Sequence, residues 1–167
     1  MIIYRLSKYN PEICYSDEWT SITDIGDKRY NLTVDEYLYY EKLYIKSLLM
    51  LVEDDSKSNV RIEGFEKSLQ WTDSKCRKYG MDKAVMELYR NDYKSTVYKT
   101  LYGGRRKFLY SDIPALMKVL LREEAWFEIV TERYRIDVGY DYYIHVYSER
   151  ILKKPDNFPE EIFMEKL

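Results

Sequence analysis

The chain has 167 residues, 46% of them hydrophobic and 34% charged, a balance that supports one packed core and excludes the composition of a disordered polypeptide. Its 27 basic and 29 acidic side chains leave a net charge of -2, so no whole-molecule field draws it to nucleic acid or an anionic membrane. No window approaches roughly 18 uninterrupted apolar residues and the opening MIIYRLSKYN lacks the layout of a secretory signal, so a cytoplasmic protein is expected, neither membrane-spanning nor exported.

Cys14 and Cys76 stand far apart with no CxxC or Cys/His cluster, which gives neither a disulfide framework nor a zinc signature and fits reduced thiols. Aromatic mass comes from 19 tyrosines against 5 phenylalanines. Tyrosine is enriched at protein interfaces, although a biased genome composition inflates it too.

Without a repeat or a Pro/Gly/Ser linker, the chain reads as a single domain over 1–167. Ile2 to Leu6 form a short strand, stopped by the turn signal Asn10-Pro11. A polar loop follows to about residue 31. Its segment from Asp17 to Asp27 carries the acids Asp17, Glu18, Asp24 and Asp27, no base, and the apolar Trp19, Ile22 and Ile25. Two readings fit this mixture: Trp19 and Ile22 cover the first helix while polar side chains satisfy loop amides, or the acids form a recognition surface for a basic partner.

The first helix starts at Thr33, where Thr33 and Glu36 make a capping box, and spans about 34–52. At 100° per residue Val34, Tyr37, Leu38, Tyr44, Ile45, Leu48 and Val52 share a face. Glu41 falls in the middle of that stripe. A carboxylate there needs hydrogen-bond partners or stays protonated, the candidate partners being loop N–H groups or a tyrosine hydroxyl.

VRIEGF (Val60 to Phe65) alternates as a second strand. Between Ser68 and Lys107 the pattern is poor: KAVMELYRNDY suits helix or strand, and STVYKTLYGGRRKFLY reads as extended segments around a Gly103-Gly104 turn. Asp112 is a good N-cap, with Pro114 in the first turn, for a helix of about 113–123. Trp126 to Val130 is aromatic and β-branched, and beyond a turn at Thr131 to Arg133 the residues Tyr134, Ile136, Val138, Tyr140, Tyr142, Ile144 and Val146 alternate with polar ones. The fold class expected is therefore α+β, a mostly antiparallel sheet with a C-terminal hairpin (about 126–147) packed against the two helices. After Arg150 only a short terminal turn is expected.

Chemistry is sparse. His145 is the only histidine, which excludes multi-histidine metal centres, and no metal or cofactor is expected. Gly103-Gly104-Arg105-Arg106-Lys107 lacks the spacing of a phosphate-binding loop and reads as a turn with solvated charges, though it is the densest basic cluster and the one candidate for nucleic acid. The pairs Asp54-Asp55, Glu123-Glu124 and Glu160-Glu161 read as helix-end or surface charge.

YRLSKYNP with DEWTSITDIG near the start, and LLREEAWFEIV with VGYDYYIHVYS near the end, resemble a family of small uncharacterised proteins of low-GC Gram-positive bacteria. In that family a YxxTKYNP start, an EWTSxSDIG segment, an ExxYI helix and a GYDYYMYI strand recur. Glu41 with Tyr44-Ile45 matches the helix motif, and Ile144 and His145 replace the usual Met and Tyr of the strand. The resemblance covers both ends of the chain but not residues 68–110. It implies an immunity-type protein that accompanies a secreted bacterial toxin, and carries no catalytic residue with it.

These observations favour a non-catalytic protein-binding module over an enzyme. The expected binding residues are Asp17, Glu18, Asp24 and Asp27 on the loop, or Asp137, Asp141, Tyr143 and Tyr147 on the sheet, with Glu41 a structural buried carboxylate and a basic toxin domain as partner. The alternatives are a nucleic-acid-binding protein using Arg105, Arg106 and Lys107, and an enzyme of unrecognised type with Glu41 or His145 in a pocket.

Overall fold

The structure is a computed structural model that describes residues 1–12, 21–68, 72–78, 80–139 and 142–167. Strands β1 (Ile2–Ser7), β2 (Asn59–Lys67), β3 (Lys107–Leu109), β4 (Ala125–Val130), β5 (Tyr134–Val138), β6 (Ile144–Ser148) and β7 (Phe163–Lys166) form one sheet. Its order is β3-β2-β4-β5-β6-β1-β7, and every neighbouring pair is antiparallel. Helices α1 (Val34–Val52), α2 (Asp73–Lys78), α3 (Lys83–Lys94), α4 (Thr96–Tyr102) and α5 (Ile113–Leu121) complete an α+β fold. Among the described residues, no helix is long and apolar enough to cross a membrane.

Strand alternation sets the core. Tyr4 and Leu6, Val60 and Ile62, Phe127 and Ile129, Ile136 and Val138, and Ile144 and Val146 are buried on one face of the sheet. The helices fill in against that face. Tyr37 of α1 donates from its hydroxyl to the Leu121 carbonyl at 2.9 Å, and Tyr44 accepts from the Lys8 N–H at 2.7 Å, so α1 is tied both to α5 and to the end of β1. Tyr102 of α4 meets Phe65 edge-on, and Phe65 stacks on Phe127, which carries the core to the bulged end of β2.

Thr33 caps α1 by accepting the Glu36 N–H at 3.2 Å, which is one half of the expected capping box. Asp112 stands at the start of α5, but its carboxylate turns back to accept the Leu109 N–H at 2.9 Å instead of capping that helix. KAVMELYRNDYK resolves as helix α3, capped by Asp82.

Three expectations are corrected. TVYKTLY is helix α4 and not an extended segment: Ser95 accepts the Tyr98 N–H at 3.1 Å, and burial of Tyr98 and Leu101 outweighs the weak helix preference of the β-branched and aromatic residues. The alternating run from Tyr134 to Val146 is two strands with a turn between Val138 and Ile144, where Tyr142 takes a φ of 58° and lays its ring between those of Tyr37 and Tyr44. The alternation survives because the hairpin register pairs residues of like parity, Val138 with Ile144 and Ile136 with Val146. Past Arg150 the chain does more than turn: Phe163–Lys166 adds β7 to the free side of β1.

Candidate functional site

The helices occupy one face of the sheet, and no described helix packs on the other. That open face is crossed by a row of directly opposed side chains, Asp137 on β5, His145 on β6, Arg5 on β1 and Glu165 on β7. Each end of the row is a bonded pair. His145 Nδ1 lies 2.9 Å from Asp137 Oδ1, and Arg5 binds Glu165 Oε2 through Nη2 at 2.6 Å and Nε at 3.2 Å. Arg5 also stacks over the Tyr143 ring, 4.6 Å from its centroid, and Tyr9 meets Tyr143 edge-on.

A second row lies alongside. Arg135 binds Glu128 and reaches Glu63 at 3.4 Å, and its cross-strand neighbour is Tyr147. Burial, the neighbouring Asp137 carboxylate and a hydrogen bond to it raise the Tyr147 phenol, so its hydroxyl stays protonated and faces Asp137. The ideal position of a Cβ on Gly139 lies 3.2 Å from His145 Cε1, so the imidazole rests against a backbone that only glycine leaves clear.

These contacts place three of the expected sheet residues, Asp137, Tyr143 and Tyr147, on one surface; Asp141 lies outside the described residues. Arg135, from the same alternating face, and Arg5 join them. Alternation with the buried Tyr4 and Leu6 is the signal that would have put Arg5 there.

Asp24 and Asp27 are the described loop acids. Asp17 and Glu18 lie outside the described residues, as do Trp19 and Cys14. Asp24 accepts the Ser21 N–H at 2.7 Å and completes a capping box for the 3-10 turn Ile22–Asp24, whose Ile22 is fully buried. Asp27 is held well below the usual carboxylate range, down to about 2, by the Arg29 guanidinium and the Arg29 N–H. Asp24 sits beside Lys8 and Glu123.

Glu41 is buried at 3% exposure, as its place in the stripe suggests. Its partner is neither a loop amide nor a tyrosine: Arg122, just past α5, binds both carboxylate oxygens at 2.7 Å and gives its remaining nitrogen to Asp92 of α3. The Arg122 carbonyl accepts the Tyr89 hydroxyl at 3.2 Å. This knot joins α1, α3 and the α5–β4 turn inside the core.

Two acids read from sequence as surface or helix-end charge are buried here. Glu124 is 2% exposed, and its carboxyl group faces that of Asp92, to which it donates when protonated. Burial, with Asp92 close by, pushes it far above the usual carboxyl range, so it holds its proton at neutral pH. Asp55 is buried too, accepting from Ser58 and from the Arg133 N–H at 3.1 Å to close the β4–β5 turn onto the end of α1.

The basic segment is divided. Arg106 donates to the Leu101 carbonyl at 2.8 Å and stacks on Phe65 at 4.4 Å, so it caps α4, whereas Arg105 and Lys107 are exposed. Among the described residues, no three His, Cys, Asp or Glu side chains converge as a metal would require. Cys76 is buried at 1% exposure.

No family model, curated protein or solved structure matches this chain. Its site is therefore read from its own geometry.

Proposed function

We propose that the chain is a protein-binding module acting through the open face of its sheet, and that its partner is a toxin domain that it occludes. The observation that carries this reading is the row formed by the pairs Asp137–His145 and Arg5–Glu165, with the rings of Tyr143 and Tyr147 beside it. Tyrosine and arginine supply most of the energy of known interfaces, and side chains already fixed by neighbours lose little entropy when a partner arrives. The toxin as partner rests on the resemblance of the end segments to immunity-type proteins. Because Asp137 and Glu165 are already paired with His145 and Arg5, recognition on this face depends on patterned charge and not on a bulk acidic field.

A photo-crosslinking residue at Tyr147, with a control at Lys42 on α1, tests the reading in the native host. The expected result is an adduct between the Tyr147 derivative and one protein whose toxicity the intact chain suppresses. Adducts from the Lys42 control alone, or a captured protein whose activity the chain leaves untouched, would overturn it.

A further inference from the structure

At the β3 end of the sheet, remote from the β1 and β7 end of the open face, a cleft of about 370 Å³ separates the free edge of β3 from α4. That volume suits a small molecule. Thr96 and Thr100, one helical turn apart, present hydroxyls from α4, while Arg105 and Lys107 line the cleft from the chain that enters β3. The buried Phe108 forms its floor, and Val97 and the 64% exposed Leu109 add apolar surface.

Arg105 and Lys107 have no ion-pair partner among the described residues. Elsewhere guanidinium groups are engaged, in carboxylate pairs such as those of Arg5, Arg122 and Arg135, or on carbonyls and a ring for Arg106. The one acid on the cleft, Asp112, is occupied by the Leu109 N–H at 2.9 Å. That bond also satisfies a donor of the strand edge, which disfavours addition of a further strand as the occupant.

We propose that this cleft binds a phosphate-bearing small molecule of nucleotide size. The phosphate sits between Arg105 and Lys107, the threonine hydroxyls donate to its oxygens, and the flat apolar part rests on Val97 and Leu109. The proposal is independent of the open face, so either can fail alone.

Calorimetric titration of the intact chain with AMP, adenosine and inorganic phosphate at low salt provides the test. AMP is expected to bind with a Kd below about 1 mM, adenosine at least about tenfold more weakly, and added salt is expected to weaken AMP. R105A and K107A should each weaken AMP by about fivefold or more with unchanged unfolding midpoints, while K99A, outside the cleft, binds as the parent does. Absence of AMP binding at millimolar concentration, equal binding of adenosine, or unchanged affinity in both variants would overturn the proposal. A short oligoribonucleotide that binds where AMP does not would assign the patch to polynucleotide recognition and overturn it equally.

Discussion

Arg122 meets Glu41 side on, two parallel hydrogen bonds of 2.7 Å between groups that are each at most 5% exposed. The pair joins residues 81 positions apart and replaces water for both charges at once. Such a pair contributes little net stability over an apolar substitute, yet removal of one member strands the other without solvent.

Arg122→Met is therefore expected to destabilise the fold by about 3–5 kcal/mol, since it leaves Glu41 buried without its guanidinium. The double variant Glu41→Leu/Arg122→Met should recover much of that loss. Urea midpoints of parent, single and double variants measure it; a double variant as unstable as the single one would contradict the account.

Glu124 sets a pH dependence of definite sign. Its folded pKa lies above its unfolded value near 4.5, so above that pH the unfolded chain releases a proton that the folded chain keeps. Its contribution to stability is full below about pH 4.5 and is lost as pH rises toward the folded pKa, at up to about 1.4 kcal/mol per unit. Glu124→Gln should remove this slope and be the more stable form at pH 8. Denaturant midpoints of both proteins from pH 5 to 9 should converge at the acid end and diverge at the alkaline end.

Gly139→Ala should disturb the open face without unfolding the chain. The new methyl group would stand 3.2 Å from His145 Cε1, tighter than ordinary contact, so the imidazole must shift by a few tenths of an ångström away from its place beside Asp137. A moved His145 ring resonance by NMR, with an unfolding midpoint within about 1 kcal/mol of the parent, is the expected result.

Gly64→Ala probes the β2 bulge. Gly64 holds φ at 63° between Glu63 and Glu66, where the register with β4 shifts, and an added Cβ there meets nothing within 4 Å. Backbone strain is thus the main cost, about 1–2 kcal/mol by chemical denaturation. A neutral substitution would show that β2 accommodates the residue by losing its bulge.

What the sequence discloses follows from how local each cause is. Thr33 and the stripe through Tyr37, Tyr44 and Leu48 announce α1, because cap and periodicity lie within one segment. The alternation from Tyr134 to Val146 announces the sheet but hides its turn, since the buried face keeps step through it. Four residues suffice for β7, and their reason for being a strand is β1, more than 150 positions away. Glu41 declares its burial by position, whereas Arg122 as its partner needs the fold. Glu124 looks like its neighbour Glu123 in sequence; Glu123 adopts a φ of 55°, which ends the helix and turns Glu124 inward at the head of β4.

The place of β1 carries a consequence for the integrity of the sheet. It lies between β6 and β7, and the Leu167 N–H reaches the Ile3 carbonyl at 2.9 Å. Both of its flanks are hydrogen-bonded to strands distant in sequence, so neither pairing forms from local contacts. A cleavage ahead of Phe163 would leave β1 as a bare edge able to recruit a foreign strand.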